Sequence, residues 1–488
     1  MLAPSISVQP ADDLLVLERG QDELLLANGF ERRPLYVKEG GRYIKEFVRA
    51  AGELGTHKKI LAVYPHEKGL LDLLTEYGIL APQGTASPSK RSENPAGKPT
   101  FGKRQSTSLY LLLSQSCNMG CVYCLDGRAT YQTDKHLKMD RKTAFKSIER
   151  CLDETIEGGR LDVIFFGGEP LLNWSLAKEI ITHCEKCLKE RHPRKQRQYH
   201  FTTNLSFLLD DLIEWAKRFN ISFLCDIDGP PAIHDRCRPF KGGGGSYEST
   251  ADSIRQMRAA GLKVDLRATI TALNQDHLLD IAEHHKALGG SSCAFVPVMP
   301  VNSDESILPE ELLPAPERII EGMAQVYRSS LWSHEELFPF NQYASRFVPG
   351  PATVVGCGAP YGNTPVVDAK GDVYPCIYLV GIRRFHAGNM MDGSYPKKEL
   401  LERMYEAVNV ERLEDCKACA WRYLCCGGCP VGRLTVMDNP SATPAAKEYC
   451  RKIRCDYTKS ILEILLWEKA TEAASNSSDS PVRASTCV

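Results

Sequence analysis

Hydrophobic and polar positions divide the chain into stretches of different period. Between residues 106 and 330, short apolar runs (Ser108–Ser114, Leu161–Phe166, Tyr199–Asn204, Ile221–Asp228, Leu262–Thr271, Ser292–Val298) read as strands. Segments with apolar residues at helical spacing separate them, as in Arg141–Glu154, Ser175–Lys189 and Tyr247–Ala260. Six strand–helix units predict a parallel sheet with right-handed crossovers, curling toward a barrel. Six units are too few to close the eight-fold form, so the expected fold is α/β, a partial (β/α)6 barrel related to the TIM architecture.

Ahead of this region, Leu14–Leu17, Glu23–Ala27 and Pro34–Lys38 are apolar runs between polar turns and predict a three-stranded antiparallel ribbon. Gly41 to Leu54 and Lys68 to Tyr77 then carry helical periodicity, an order that resembles a winged helix-turn-helix. No basic recognition helix accompanies it, which argues against DNA binding. Gln83 to Lys103, rich in Pro, Gly, Ser and Lys, reads as a linker. Beyond about 350 cysteines dominate and periodicity fades, and after Trp467 the composition turns to Ala, Ser, Asp and Glu. The expected organisation is a winged-helix-like unit at 1–83, a linker at 84–105, the barrel at 106–330, a connection at 331–356, a loop-rich metal domain at 357–466 and a disordered tail at 467–488.

Composition changes this picture at one point only. Hydrophobic content of 43%, charged content of 25% and a formal net charge of −1 are those of an ordinary globular protein and give no attraction to nucleic acid or anionic lipid. No apolar stretch approaches the ~18 residues that span a bilayer, and Met1–Val8 lacks the basic-then-apolar pattern of a secretory signal. The expectation is a cytoplasmic protein with neither nucleic-acid nor membrane partners. The 19 cysteines stand apart. In a long chain without a secretory signal they point to metal rather than disulfides, and ten of them fall into two spaced constellations.

The first constellation is Cys117-x3-Cys121-x2-Cys124, directly after the first barrel strand. Active sites of parallel βα folds form at the C-terminal strand ends, and the next four ends also carry unusual groups. These are Gly167-Gly168-Glu169-Pro170, Thr202-Thr203-Asn204, Asp226-Ile227-Asp228-Gly229, and Arg267 with Thr269. Zinc is the alternative for three thiolates, but it normally takes four ligands. The loop with Tyr123 before its last cysteine resembles the radical S-adenosylmethionine (SAM) superfamily over roughly 106–330.

That resemblance implies a [4Fe–4S] cluster on Cys117, Cys121 and Cys124 whose open iron chelates SAM. It further implies cofactor contacts from Tyr123, from Gly167, Gly168 and Glu169 to the methionine amino group, from Thr203, Asn204 and Asp228 to ribose or carboxylate, and from Arg267 to the carboxylate. The stretch His234-Asp235-x2-Arg238 resembles the subgroup that modifies peptides and proteins; Asp235 is a candidate to accept a substrate proton or to hold its loop, and a purely structural loop is the alternative. The Gly242–Gly245 run reads as a flexible connection, and Cys184-x2-Cys187 as core or surface cysteines within a helix.

The second constellation is Cys357-x13-Gly371-x4-Cys376, Cys416-x2-Cys419-x5-Cys425-x3-Cys429, then Cys450. It resembles the SPASM extension, which implies two auxiliary [4Fe–4S] clusters. Cys357, Cys376 and Cys429 would hold the first, with Cys426, Cys455 or an open position as fourth ligand. Cys416, Cys419, Cys425 and Cys450 would hold the second. The implied activity is that of an oxidoreductase, a peptide or protein maturase forming thioether crosslinks in a cysteine-containing precursor peptide or small protein subunit, with a flavodoxin- or ferredoxin-type electron donor. Carbon–carbon crosslinking and sulfatase-type cysteine oxidation are the alternatives within the enzyme class, and an iron–sulfur electron-transfer or scaffold protein the alternative outside it.

Overall fold

The computed structural model describes residues 8–20, 22–29, 33–82, 102–125, 137–347 and 353–476. Its centre is a run of six parallel strands that pair in sequence order: β6 (Arg104–Ser114), β7 (Thr155–Gly167), β8 (Gln196–Thr203), β9 (Ile221–Asp226), β10 (Val264–Ile270) and β11 (Cys293–Pro297). Helices Arg141–Glu154, Trp174–Arg191, Leu212–Phe219, Tyr247–Ala259 and Leu278–Ala287 connect them. Period-2 alternation assigns each strand two faces. Phe165, Phe201 and Phe223 occupy one register row and stack against each other beneath the helices, with ring centroids 4.4 and 5.8 Å apart. The opposite face carries Thr202, Asp226, Arg267 and Thr269, which line the interior. Alternation therefore separates core from site along the same strands.

The sheet stays open. Beside β11 lies a short parallel strand, β12 (Leu337–Phe338), supplied by the segment expected to be a mere connection. Beside β6 lies a hairpin, β13 (Val366–Val367) and β14 (Val373–Tyr374), from the cysteine-rich region. Val366 and Val367 pair with Tyr110 and Leu111, so the C-terminal region extends the barrel sheet instead of hanging from it. Most of the linker lies outside the described residues, and β6 begins at Arg104, inside the span expected to be linker.

The N-terminal ribbon is as expected: β2 (Leu14–Arg19), β3 (Glu23–Asn28) and β4 (Arg33–Val37) are antiparallel, with helices Gly41–Leu54, His57–Val63 and Lys68–Glu76 following, and a separate antiparallel pair, β1 (Val8–Pro10) with β5 (Leu80–Pro82), brackets the unit. The central strand β3 is buried on both faces. Leu24 and Leu26 pack on the ribbon's own helices, whereas Leu25 and Ala27 join a core shared with Ile270 and Phe295 of the barrel and Leu462 and Leu465 of the last helix. Buried Asp13, beside the ribbon, pairs with buried Arg422 of the C-terminal region.

The tail corrects the expectation. Thr458–Asn476 is one helix running through the boundary drawn at 467. Trp467 is buried, edge-on to Tyr36 at 6.1 Å, with the Arg19 guanidinium 4.1 Å from its ring. Composition marked the boundary too early because the apolar stripe that docks the helix ends at Trp467 while the hydrogen-bonded backbone continues a further two turns. Residues 477–488 lie outside the described set. Among the described residues no helix is long and apolar enough to cross a membrane.

Candidate active site

A cavity of about 1050 Å³, open to solvent, lies at the C-terminal ends of the strands. Cys117, Cys121, Tyr123 and Cys124 form one wall, Gly167, Gly168, Thr203 and Asn204 a second, and Asp226, Arg267 and Thr269 a third. Ile377 and Tyr378, from the turn after Cys376, close it from the C-terminal region. All four of the further strand ends picked out by their chemistry thus meet at one cavity with the cysteine loop.

None of Cys117, Cys121 and Cys124 is in a disulfide. Burial pushes the Cys117 thiol above its ordinary range, and the Met119 N–H directed at Cys117 Sγ (3.4 Å) works against that. Three convergent thiols, partly desolvated and backed by a backbone amide, suit an iron–sulfur cluster that keeps one ligand position for a non-protein group. Metal binding would remove the protons that burial now favours.

The glycines beside them have a steric reason. A Cβ on Gly168 would lie 2.4 Å from Ser116 O, and one on Gly167, where φ is +126°, 2.4 Å from Ser114 O. Gly168 N–H donates to Ser114 O (2.7 Å) and Glu169 N–H to Ser116 O (2.9 Å), so the β7 end is laced to the start of the cysteine loop. Glu169 sits elsewhere than its expected role requires. Its carboxylate is fully buried and accepts from Leu171 N (3.0 Å), Thr203 Oγ1 (2.7 Å) and Asn204 N (2.8 Å), and it does not line the cavity. Burial raises its pKa to about 7 against those three donors. The Gly-Gly-Glu turn presents its glycines to the cavity and uses the carboxylate to tie β7 to β8.

Asp228 is likewise turned inward, accepting from Tyr123 OH (2.5 Å) and Thr269 N (3.0 Å). Burial raises its carboxyl to about 6. Arg267 lines the cavity, but Asp226 grips its guanidinium through two bonds of 2.5 and 3.0 Å. Burial alone would raise the Asp226 pKa; Arg267 and Arg238 bring it below the ordinary carboxylate range. Asp226 is the one carboxylate among the described residues lining the cavity.

Asp235 is a loop holder in this structure. Its Oδ1 accepts from Tyr247 N (2.8 Å), at the start of the Tyr247–Ala259 helix. Its other oxygen would lie 2.1 Å from a Cβ on Gly245, so the last glycine of the Gly242–Gly245 run is there for close approach as well as for connection. Asp235 does not line the cavity.

Asn118 and Arg238 are brought to the site without having been singled out by role. Asn118 accepts from Asn204 Nδ2 (2.9 Å) and donates to Ser206 Oγ (2.7 Å), joining the cysteine loop to the end of β8. An Asn between cluster cysteines carries no local signal of such a tie, and tertiary contact gives it this role.

In the C-terminal region Cys376 has Cys357 and Cys429 as its charge neighbours, and Cys425 has Cys426, Cys419 and Cys416. Backbone N–H groups of Ala359 and Gly427 point at Cys357 Sγ (3.5 Å) and Cys425 Sγ (3.3 Å). Cys416, a neighbour of Cys425 as in its spacing-based set, also has Cys455 beside it, and Cys450 has Cys429. Arg454, next to Cys455, pairs with Asp415, next to Cys416, at 2.6 Å, and Cys455 lies in a π-helical turn, Ile453–Tyr457. Cys184 and Cys187 are both buried in the core between helices. The nearby group of Glu149, His183 and Cys187 already holds a cation, since Arg191 Nη2 lies 2.9 Å from Cys187 Sγ and 3.6 Å from Glu149.

Buried His285 supports the β9 end. Its Nε2 lies 2.7 Å from Ile227 O, and burial lowers its pKa from 6.5 to about 4. The ring is neutral in the fold, while the unfolded chain takes up a proton below about 6.5. The contribution is therefore complete above pH 6.5 and is lost as pH falls toward 4, amounting to about 3 kcal/mol over that window. Denaturant titration at pH 7 and pH 5 should show wild type losing about 2 kcal/mol more than His285→Gln.

Residues 111–307 match the family model described as the Radical SAM superfamily. The serine-type anaerobic sulfatase-maturating enzyme of Bacteroides thetaiotaomicron is 23% identical over 360 residues, which are 65% of this chain and 81% of that one. Among solved structures, native anSMEcpe with bound AdoMet and Cp18Cys peptide superposes at TM-score 0.59 and 17% identity, over 76% of this chain and 100% of that one. Streptococcus suis SuiB bound to S-adenosylmethionine reaches TM-score 0.50 at 13% identity, over 90% of this chain and 100% of that one. The cysteine loop, most of the open parallel sheet and most of the residues lining the cavity thus lie within the stretch that matches the Radical SAM superfamily.

Proposed function

We propose that the chain oxidises a side chain within a peptide or protein substrate. The observation that carries this reading is the cavity itself. It sets the three-cysteine wall opposite Ile377 and Tyr378 and opens to solvent, which suits a SAM molecule and one inserted side chain with the rest of a polypeptide left outside. The bound cluster and SAM would supply a 5′-deoxyadenosyl radical that takes hydrogen from an unactivated carbon. The protein's part is to seat the cofactor on the Gly167–Gly168 turn, fix Tyr123 and Asn204 through Asp228 and Asn118, and shield the reacting carbon from water.

Oxidation of the sulfatase-maturating kind has the better support, because the relative named for that activity is matched over 81% of its length and anSMEcpe, solved with a Cp18Cys peptide, over all of its chain. Thioether crosslinking is the second reading. It rests on the N-terminal ribbon and helices, whose outer strands offer an edge to a precursor peptide. On that reading the N-terminal unit, winged-helix-like in the order of its elements, binds a precursor peptide as an added strand. Both readings include two auxiliary clusters in the C-terminal region as the electron exit and an external one-electron donor.

Anaerobically reconstituted protein supplied with dithionite and SAM should release 5′-deoxyadenosine, and no release would defeat both readings. With cysteine- or serine-containing peptides, a product trapped by a hydrazide supports aldehyde formation. A product about two hydrogens lighter whose thiol resists alkylation supports the crosslink.

A further inference from the structure

We infer that Arg238, the last residue of the His234-Asp235-x2-Arg238 stretch, positions the cluster loop and sets the reduction potential of the cluster held there. The inference rests on assigning that cluster to Cys117, Cys121 and Cys124. Residues 237–241 run antiparallel to the cysteine loop and are zipped to it through the backbone. Gly120 N–H donates to Pro239 O (2.7 Å), Val122 N–H to Cys237 O (3.0 Å) and Lys241 N–H to Asn118 O (3.0 Å). Met119 and Phe240 form an isolated bridge in the same pairing. The loop that carries the cysteines is thus one strand of a short ribbon whose other strand is the Arg238 segment.

The other members of the stretch hold that second strand still. His234 Nδ1 accepts from Asp228 N–H (3.2 Å). Its Nε2 lies 3.0 Å from Ser246 Oγ, whose hydroxyl donates to Arg238 O (2.5 Å). Because Ser246 spends its proton on Arg238 O, the imidazole carries its own on Nε2 and is neutral. Asp235 fixes the start of the following helix from the other side of the turn.

Arg238 is 6% exposed and lines the cavity beside all three cysteines. Nη1 donates to Tyr123 OH (2.7 Å), the hydroxyl that itself donates to Asp228, and Nη2 lies 3.6 Å from Asp226. Its Nε–H is buried with no partner among the described residues. Asp226 already gives both oxygens to Arg267, and Asp228 reaches Arg238 only through the Tyr123 hydroxyl, so among the described residues no carboxylate hydrogen-bonds the Arg238 guanidinium directly where it faces the thiolates. A cluster gains an electron on reduction, and a fixed, poorly solvated cation nearby favours the more negative state. Arg238 therefore raises the potential at which the cluster accepts the electron that starts the reaction.

The test is an EPR-monitored redox titration of the anaerobically reconstituted full chain, following the reduced-cluster signal that changes when SAM is added. Arg238→Gln should keep the wild-type iron content and move the midpoint to more negative potential. Arg238→Lys should restore most of the shift, and Asp226→Asn should move the midpoint in the opposite direction. An Arg238→Gln protein with full iron and an unmoved midpoint overturns the inference. If that variant fails to take up iron, Asp226→Asn decides: a midpoint moved upward supports the inference and an unmoved one overturns it. A wild-type chain without a SAM-sensitive signal overturns the cluster assignment and the inference together.

Discussion

Replacing Cys121 by alanine should abolish 5′-deoxyadenosine release to the level of an enzyme-free control, while Cys184→Ala should retain turnover. Both positions are cysteines on well-ordered elements, but their surroundings differ. Cys121 lines the cavity with Cys117 and Cys124, whereas Cys184 is fully buried in the apolar layer between helices and sheet. With one of three thiolates gone, the cluster loses a protein ligand and the loop loses the geometry that leaves a single open position. The core substitution removes one sulfur from a packed layer and should cost about 1–2 kcal/mol of stability without touching the site. Iron content, thermal stability and nucleoside release on the two variants separate the roles. Equal loss of turnover in both would contradict them.

Glu169→Ala should be the most destabilising single change at the site, by about 3–5 kcal/mol. The carboxylate is fully buried and satisfies two backbone N–H groups and one hydroxyl, from Leu171, Asn204 and Thr203. Truncation leaves those donors without an acceptor and opens a void. Glu169→Gln keeps an acceptor oxygen but turns an amide toward at least one donor, and should cost about half as much. Because Asn204 lines the cavity and its backbone N–H is one of the three donors, Glu169→Ala should also weaken SAM binding. Thermal unfolding and equilibrium binding of SAM read the two effects. A variant as stable as wild type would mean that the carboxylate is not the tie between β7 and β8.

His285 and Glu169 act in opposite senses on pH. Burial keeps His285 neutral and costs stability as pH falls below about 6.5, whereas burial favours the protonated form of Glu169, whose pKa of about 7 lies above the ordinary value of 4.5. The Glu169 contribution is complete below about 4.5 and is lost as pH rises toward 7, so acidification restores what it takes away at His285. The His285→Gln comparison is informative because it removes one of two opposing slopes.

The cysteine spacing was legible because cluster ligands on one loop are local: Cys117, Cys121 and Cys124 need only a tight turn after a strand to converge. The strands were legible for a related reason, since a parallel sheet covered by helices leaves an apolar run for every strand and a helical period between them. The order β6 to β11 follows the chain, so reading them in sequence also gave their neighbours.

What the sequence left undetermined is how polar strand-end residues divide between cavity and scaffold. Glu169, Asp228 and Arg267 occupy the ends that the motif pattern marks, yet Glu169 and Asp228 turn inward to tie strands together and Arg267 is held by Asp226. Side-chain direction there depends on which donors stand opposite after folding, and those come from strands tens of residues away. The same dependence hid the pairing of residues 237–241 with the cysteine loop, the capture of Trp467 by the N-terminal ribbon, and the placing of Cys450 and Cys455. The sequence by itself determined the cluster loop, the open barrel and the chemistry they share. Tertiary structure alone decided which charges face the cavity and which hold it up, because a buried carboxylate takes its role from its hydrogen-bond partners and no local pattern names them.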